Sequence, residues 1–228
     1  MAACIILWRM SLPRASRWLL LAALGGLLLG PFVVIAWSAS AHEGQKVGRI
    51  SALQGRATVL RQGVDRPDQL EMDSPLYRAD TVQTATASKA RLSLDDDTVV
   101  TMGELTTLRI VRAGTAQAGT AARVSVATGV ARLVAQHVPG RAHAEAVTPT
   151  AVAAVRGTEW LLDVSGRGTG VLVVAGQVVV SNARREIKGT VVLKPGEGTD
   201  VAPGKAPTPP ATWSAGRRDA LDKATTLP

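Results

Sequence analysis

The chain has almost no cysteine, because Cys4 is the only one among its 228 residues. Cys4 precedes the apolar stretch of the amino terminus, so it is not placed for lipoprotein processing. The rest of the chain can form no internal disulfide and no cysteine-based metal site. Its stability must therefore come from side-chain packing and backbone hydrogen bonding.

Aromatic residues are also scarce, at 3% of the sequence, and only Tyr77, Trp160 and Trp213 lie beyond the amino-terminal segment. This scarcity argues against sugar binding by stacked rings. The formal net charge of +8 falls to +5 once the three arginines before residue 18 are set aside, and the basic residues are scattered. Without a basic run or an aromatic platform, nucleic acid is not an expected partner. We expect a solvated surface with a mild attraction to anionic lipid or cell-wall groups.

No cluster of residues indicates catalysis or metal binding. Asp95-Asp96-Asp97 lacks the glycine and the distant glutamate of an EF-hand loop, so we expect a solvated hairpin turn there. His137 and His143 do not have a recognised zinc spacing. His143 and Glu145 are not accompanied by a nucleophile-elbow pattern. We therefore expect a non-catalytic protein that uses no metal and no cofactor.

The amino terminus has the three parts of a secretory signal. Three arginines precede an apolar stretch from Trp18 to Trp37, and Ala39-Ser40-Ala41 forms a small-residue cleavage site. An apolar stretch of about 20 residues is also long enough to span a bilayer, although Gly30-Pro31 would weaken such a helix. Cleavage after Ala41 and retention as an anchor are both open. Either outcome predicts a periplasmic location, with inner-membrane contact if the leader is retained, because the arginines should stay inside.

Short strands are expected almost everywhere between residues 47 and 201. Residues 90–95 alternate between apolar and polar side chains, which is the period of a half-buried strand. Val171–Ala175 and Val178–Val180 are nearly continuous apolar runs, as in strands that are covered on both faces. No segment after residue 41 has the length and period of a helix. The predicted fold class is all-β, either β-solenoid-like or a twisted β-sandwich, preceded by one N-terminal hydrophobic helix.

A weak internal repeat places a glycine between two short strands. The units are centred on Gly55, Gly129, Gly176 and, in a poorer copy, Gly196. Glycine suits a corner or a bulge because it reaches positive φ without a Cβ clash. The spacing of the units is irregular, which indicates stacked coils or a folded-over sandwich and not a strict-period array. Chance similarity in a chain rich in valine, alanine and glycine is the alternative.

The run Val147–Val164 is the most specific pattern in the sequence. It combines a Thr-Pro start, a small apolar stretch, the tetrapeptide Val155–Thr158 and a tryptophan that leads into a Val/Leu strand. It resembles the signature of FecR-type domains, the envelope modules of bacterial cell-surface signalling regulators. Individually weak units of the same family pattern are matched by Gly48–Val59, Ala79–Thr98, Val124–Leu133 and Val171–Val180. The resemblance implies a β-solenoid-like or twisted β fold.

The resemblance also implies an organisation. Sigma-factor regulators of this family resemble a three-part design of a cytoplasmic helical domain, a membrane helix and the envelope module. Only 17 residues precede Trp18, too few for a helical domain with its own core, so we do not expect direct sigma-factor control by this chain alone. The expected segments are 1–41 as signal peptide or signal anchor, 47–201 as a FecR-like β domain and 202–228 as a Pro-rich extended tail.

Four residues of the signature, Arg156, Gly157, Thr158 and Trp160, form the candidate site. Arg156 lies in an apolar run, where an unpaired charge would be costly, so it either pairs at a structural corner or recognises a partner. Trp160 is either a core residue or a ligand platform. The expected function is an exported, non-catalytic binding or scaffold module for an envelope protein or a cell-wall component. The alternative is an accessory role in iron-linked cell-surface signalling with a separate membrane regulator.

If Gly157 occupies a tight corner, the substitution Gly157→Val should disrupt folding. The physical reason is that a β-branched side chain reaches the left-handed backbone conformation only with strain. Circular dichroism and thermal unfolding of the full chain measure this effect. A variant that unfolds at the same temperature as the parent would contradict the corner assignment.

Overall fold

The computed structural model describes residues 44–112, 122–136, 144–155 and 157–227, and it contains seventeen strands and one helix there. The strands are β1 (Lys46–Gln54), β2 (Ala57–Leu60), β3 (Asp68–Gln69), β4 (Pro75–Tyr77), β5 (Thr81–Thr84), β6 (Lys89–Leu94), β7 (Val99–Met102), β8 (Thr107–Arg112), β9 (Arg123–Ala135), β10 (Ala144–Val147), β11 (Ala151–Val155), β12 (Thr158–Ser165), β13 (Gly168–Ala175), β14 (Val178–Asn182), β15 (Thr190–Leu193), β16 (Glu197–Val201) and β17 (Ala211–Thr212). The helix is α1 (Ala215–Thr225). The all-β expectation is confirmed in its coarser form, since the fold is mostly β.

The predicted alternation of apolar and polar residues corresponds to an alternation of buried and partly exposed side chains along the strands. In β6, Ala90, Leu92 and Leu94 are buried, whereas the polar residues between them are only partly covered. In β9, Val124 and Val126 are buried in the same way. These strands form because every second side chain has an apolar core to enter.

Hydrogen-bonded ladders divide the strands into two sheets that share β9. The first sheet has the order β4-β1-β6-β7-β9-β12-β13-β16-β17. The second sheet has the order β3-β2-β5-β8-β9-β10-β11-β14-β15. Within the described residues, every one of these pairings is antiparallel except that of β9 with β10.

Strand β9 joins the two sheets because it bends in its middle. Residues 123–128 pair with β8 in the second sheet, and residues 129–135 pair with β12 in the first. The bend is at Gly129, whose φ is +95°. A Cβ atom on this residue would lie 2.3 Å from the Thr106 hydroxyl oxygen, so no larger residue fits without a backbone shift.

The other glycines of the internal repeat lie at equivalent corners. Gly55 separates β1 from β2, Gly176 separates β13 from β14, and Gly196 precedes β16. All three have positive φ, and the strands on their two sides belong to different sheets. The corner interpretation of the repeat is therefore confirmed.

Side chains from both sheets form one apolar core. Its largest fully buried members include Trp160, Ile50, Leu92 and Leu133 from the first sheet and Leu108 and Ile110 from the second. The predicted cover on both faces is correct for Val171–Val173. It is wrong at Val174, which is 39% exposed, and at Val179, which is 42% exposed, because these side chains lie on the faces opposite the core.

The carboxy-terminal segment corrects the expectation of a Pro-rich extended tail over residues 202–228. Its second half contains α1, which starts after Ser214, whose hydroxyl accepts a hydrogen bond from the Arg217 N–H. The Pro-rich first half is also attached, since Pro207 is buried and Thr208 N–H donates to the Asp200 carbonyl oxygen. The helix was not predicted because it has few apolar residues, of which Leu221 is buried.

Two further expectations concern the β-solenoid alternative and the N-terminal hydrophobic helix. The β-solenoid alternative is not confirmed by these ladders. The predicted N-terminal hydrophobic helix and the leader of residues 1–41 lie outside the described residues. Among the residues that the structure does describe, α1 is the only helix, and it is neither long nor apolar enough to cross a membrane.

Ala79 and Asp97 depart from the family pattern that the unit Ala79–Thr98 resembles, because that pattern often has glycine at both positions, and both residues occupy left-handed backbone positions. Ala79 has a φ of +70° and Asp97 a φ of +66°, at the two places where the family often has glycine. Asp97 N–H donates to the Leu94 carbonyl oxygen, so the hairpin turn between β6 and β7 is formed despite the aspartate. The family glycines thus correspond to a backbone requirement that this chain meets with strain.

We expect Ala79→Gly to raise the free energy of unfolding by about 0.5–1 kcal/mol. Removing the Cβ relieves the left-handed strain, and this gain exceeds the greater entropy of glycine in the unfolded chain. Chemical denaturation of the full chain measures the change. Ala85→Gly is the matched control, since Ala85 is not among the described residues with positive φ, and it should lower the stability. Loss of stability in Ala79→Gly would contradict the strain argument.

Candidate functional site

Three of the four predicted site residues lie in the described part of the chain, and Arg156 lies outside it. Gly157 connects β11 of the second sheet to β12 of the first, with a φ of +64°. Its carbonyl oxygen is close to Gly176, where a Cβ atom would approach it to 2.6 Å. Two corners are therefore packed against each other, one from the signature and one from the next unit of the internal repeat.

Thr158 fastens these two corners together. Its side chain is buried, and its hydroxyl donates to the Gln177 carbonyl oxygen over 2.9 Å. Gln177 is the residue between Gly176 and the first residue of β14. A threonine at this place satisfies a carbonyl group that the corner leaves without a ladder partner. The contact explains the small hydroxyl residue in the motif as part of the structure.

Trp160 lies inside the core. Its side chain is fully buried, and it stands between Leu133 of β9 and Val173 of β13 in the first sheet. The indole Nε1 has no hydrogen-bond partner among the described residues, which costs about 1–3 kcal/mol. Burial of the large ring offsets this cost. A partner cannot reach Trp160 in this structure, so the ring supports the fold from within.

The Thr-Pro start of the signature is also a structural device. The Thr148 hydroxyl oxygen accepts a hydrogen bond from the Ala151 N–H over 2.9 Å and closes the turn between β10 and β11. The hydroxyls of Thr148 and Thr150 both contact the Thr169 hydroxyl, at 2.7 and 2.8 Å. All three threonines are buried. This hydroxyl cluster ties the second sheet, through its hairpin, to β13 of the first sheet.

A buried carboxylate organises the start of the other family segment. Asp80 is fully buried, and its Oδ2 accepts hydrogen bonds from Arg61 Nη1 at 2.9 Å and from Tyr77 N–H at 2.8 Å. The Arg61 guanidinium also lies over the Tyr77 ring, 4.9 Å from its centroid. These contacts hold the turn before β5, so Asp80 also has a structural role.

The acidic triplet has no metal-binding geometry in this structure. Asp96 is buried, and its two carboxylate oxygens accept hydrogen bonds from Thr98 N–H and Ala122 N–H. The described residues contain no group of three or more side chains that could hold a metal ion. His137 and His143 lie outside the described residues. The triplet therefore fastens the β6–β7 turn to the start of β9.

A polar cleft lies where the carboxy-terminal segment docks on the first sheet. This tail-docking cleft has a volume of about 360 Å³, and its lining includes Asp163, Arg167, Thr169, Asp200 and Arg217. The sequence did not predict it. Its residues come from the β12–β13 hairpin, from β16 and from α1, so only folding brings them together.

Arg217 is the central residue of the tail-docking cleft. Its guanidinium donates to both carboxylate oxygens of Asp200, at 2.9 and 2.6 Å. It also stacks on Trp213, 3.3 Å from the ring centroid. Hydrogen bonds to Asp200 raise the pKa of Arg217, against the opposing effect of burial, and Asp163 adds to the increase. The charge is permanent, so this attachment should not respond to physiological pH.

Two glycines make room for Trp213. A Cβ on Gly198 would lie 2.4 Å from the indole, and a Cβ on Gly170 would lie 2.8 Å from it. The ring packs with Leu161, Leu172 and Leu221 in a second, smaller apolar cluster on the outer face of the first sheet. The tail is thus held by an aromatic ring that packs directly against the backbone of Gly170 and Gly198.

Two further basic residues of the first sheet bind α1. Arg132 forms ion pairs with Glu159 on the neighbouring strand and with Asp222 on the helix. Burial alone would lower the pKa of Arg132, but its hydrogen bonds to these two carboxylates outweigh that effect and raise it. Lys89 Nζ donates to the carbonyl oxygens of Lys223 and Thr226 at the end of the helix. A cation at this end also interacts favourably with the helix dipole.

Residues 80–179 match the family model described as FecR protein. Over this range the chain is similar to FecR proteins. The match covers less than half of the chain, and no curated protein sequence matches it. The resemblance derived from the signature is therefore confirmed over that range.

Two crystal structures of a protein assigned as an anti-sigma factor from Parabacteroides distasonis ATCC 8503 have a similar fold. In both, the sequence identity is 17% and the TM-score is 0.50. The alignment covers 61% of this chain and 63% or 62% of the other. The chain thus spans less than two thirds of the length of these relatives. At this identity the likeness concerns the fold alone.

Strands on both sides of the matched range continue its two sheets. Residues 80–179 extend from just before β5 into β14. β1 pairs with β6 and β16 pairs with β13, so strands outside the range continue the same sheets. The tail-docking cleft joins residues of the matched range, such as Thr169, to Asp200 and Arg217 beyond it. The tail therefore docks on strands that lie both inside and outside the matched range.

We expect Gly198→Ala to release the tail from the first sheet, because the new Cβ would overlap the Trp213 ring. Limited trypsin digestion should then cleave after Arg217 and Arg218 about tenfold faster, equivalent to roughly 1.4 kcal/mol less free energy for local opening. Gly166→Ala is the matched control, since a Cβ there meets nothing within 4 Å. Equal cleavage rates for both variants would show that Trp213 does not hold the tail.

Proposed function

We propose that this chain is a non-catalytic, FecR-type binding module that works by docking a protein partner. One observation carries the proposal: Asp80, Thr148, Thr158 and Trp160, which belong to the family pattern, are all buried and bonded or packed inside the fold. Their side chains stabilise the fold of the module and are not accessible to a substrate. The described residues contain no group of side chains that suits a metal ion. Function would therefore reside in surfaces.

The proposed setting is the bacterial cell envelope. The arginine-rich front, the apolar stretch and Ala39-Ser40-Ala41 support export or anchoring with the domain in the periplasm. Partner classes follow from the comparisons. The family model is that of FecR, and the similar structures are of an anti-sigma factor, so a receptor, a membrane regulator or a sigma-factor pathway component is the first partner to test.

Two roles are compatible with such a module. The first is a signalling component in iron-linked surface sensing, which the family and the similar structures favour. The second is an envelope scaffold that holds a protein or a cell-wall component. A net charge of +5 outside the leader favours the scaffold role, because it attracts anionic wall groups. The two roles differ in what the module binds.

The proposal includes a choice between the two predicted β architectures, the solenoid and the sandwich. Among the two predicted alternatives, we favour a twisted, folded-over β-sandwich. The support is that all but one of the ladders between described strands are antiparallel, whereas coils of a solenoid stack their equivalent strands in parallel. A sandwich of this kind has two outer faces and several edges for contacts.

Covalent capture in the native bacterium tests the proposal. The full chain, with a carboxy-terminal tag, is crosslinked in living cells, and its partners are identified by mass spectrometry. A receptor or membrane regulator supports the signalling role, and wall fragments or secretion proteins support the scaffold role. Trp160→Ala, expected to lose about 3–5 kcal/mol of stability, is the control that should capture neither. If parent and control capture the same molecules, the module is not responsible for binding.

Amino-terminal sequencing of the exported protein tests the location. A mature end at His42 supports cleavage, and an intact end in the membrane fraction supports an anchor. Recovery of the whole chain from the cytosol would contradict the proposed setting.

A further inference from the structure

Strand β15 is the longest strand at an open edge of either sheet within the described residues. The terminal strands are β3, β4 and β17, with two, three and two residues, and β15, with four. Short edge strands discourage further pairing. The tail reaches only to the residue before β15, where a Cβ on Gly189 would lie 3.0 Å from Ala206. The edge of β15 itself is left uncovered.

The ladder geometry shows which backbone groups face outward. Ala183 N–H donates to the Thr150 carbonyl oxygen beside the Ala151–Asn182 pair. Along a strand in an antiparallel sheet, successive residues direct their backbone N–H and C=O groups alternately to the two neighbouring strands. Because Ala183 directs its groups to β11, Val180 and Val178, three and five residues before it, direct theirs to β15.

The partners of Val178 and Val180 are Leu193 and Val191. The N–H and C=O groups of Thr190 and Val192 therefore point away from β14. None of them has a hydrogen-bond partner among the described residues. The next outward N–H, that of Lys194, is capped by the Glu197 carboxylate at 2.8 Å. The open edge thus has a defined end.

The side chains of this edge are apolar on both faces. Val192 is 50% exposed, and its cross-strand neighbour Val179 is 42% exposed. On the inner face Leu193 is buried and Val191 packs against the core. An additional strand would place one row of side chains beside Val192 and the other beside Val191. Both rows would gain apolar contact, which is the unit of stabilisation between neighbouring strands.

The charge around this edge has one predominant sign. Arg184, Arg185 and Lys188 lie in the β14–β15 loop and Lys194 follows β15, and all four are exposed. None of them forms an ion pair with another described residue. Glu186 and Glu197 are the acidic residues in the same stretch. The loop end of the edge therefore has an excess of positive charge, with three cations against Glu186, whereas Glu197 offsets Lys194 at the other end.

We propose that β15 is a docking edge for an extended, acidic segment of a partner protein, which adds to the second sheet as its tenth strand. The proposal rests on the proposed function as a binding module and names the surface and the partner chemistry. Main-chain hydrogen bonds to Thr190 and Val192 supply the attachment, and the flanking cations select acidic ends. A second copy of this chain is disfavoured as the occupant, because pairing two β15 edges would bring the same cations together.

Peptide binding to the full chain tests this edge. The probe is a fluorescein-labelled peptide, Asp-Glu-Val-Thr-Val-Thr-Val-Thr-Glu-Asp, followed by fluorescence anisotropy. A peptide with lysine in place of each acidic residue is the charge control. We expect saturable binding of the acidic peptide at least about tenfold tighter than that of the basic one. Equal affinity for both, or no binding of the acidic peptide, overturns the proposal.

Two substitutions at one position separate the edge from the fold. Val192→Pro removes an N–H that faces outward, so it should leave the β14–β15 bonds intact and weaken peptide binding at least about tenfold. Val192→Thr keeps that N–H and a β-branched shape, so it should bind the peptide nearly as well as the parent. Thermal unfolding confirms that both variants are folded. Undiminished binding by folded Val192→Pro overturns the assignment.

Charge reversal tests the selection of acidic ends. Arg184→Glu with Lys188→Glu should reverse the preference towards the basic peptide. The matched control is Arg56→Glu with Arg66→Glu, exposed cations at the opposite edge of the second sheet, which should leave the preference unchanged. An unchanged preference in the first pair contradicts the proposal.

Photocrosslinking in cells separates this inference from the proposed function. A benzophenone amino acid at position 192 should capture the partner found by covalent capture, whereas one at Val64, 41% exposed, should not. If partners are captured but never through position 192, the binding module stands and the β15 edge is wrong. Sedimentation of the full chain as a dimer that Val192→Pro dissociates would also overturn the acidic partner, in favour of a second copy.

Discussion

The fold depends on corners at which the chain turns from one sheet to the other with a left-handed backbone, and the tightest of these corners leave no room for a side chain. Gly129 shows this most directly, because the two halves of β9 lie in different sheets and Thr106 occupies the space that a Cβ would need. Thr106 packs against this bend, and its hydroxyl oxygen accepts a hydrogen bond from the Val130 N–H. Without this corner the two sheets would have no common strand and no common core.

Polar residues secure the corners from inside. A corner interrupts the ladder and leaves backbone groups without partners, and a buried group of this kind is costly. Thr158 satisfies the carbonyl group of Gln177, Thr148 closes the turn before β11, and Asp80 accepts the Tyr77 N–H. The family pattern therefore combines glycines that permit the bend with small polar side chains that compensate for it. This combination explains why the pattern indicates a fold and not a reaction.

The two sheets are finished in different ways at their margins. On the outer face of the first sheet, the chain's own tail supplies Trp213, Arg217 and α1. Two ion pairs hold it to β16 and β9, and Lys89 of β6 donates hydrogen bonds to carbonyl oxygens at the end of the helix. These exposed contacts weaken as salt concentration rises. The second sheet ends at β15 with no such cover among the described residues. In the proposed binding role, this open edge is the place for a partner.

Local pattern in the sequence determined the strands, the corner glycines and the resemblance, because alternation and positive φ are properties of neighbouring residues. Residues 90–95 and the glycines of the internal repeat could be predicted for that reason. The tail-docking cleft could not be predicted, since Asp200, Trp213 and Arg217 come together only after β13 and β16 have paired. The helix α1 could not be predicted either, because it lacks the stripe of apolar residues that indicates an amphipathic helix. The sequence also left Trp160 and Thr158 open between a surface role and a core role. Only the tertiary structure decided that they are interior, because burial depends on which strands pack over a residue and not on its neighbours in the chain.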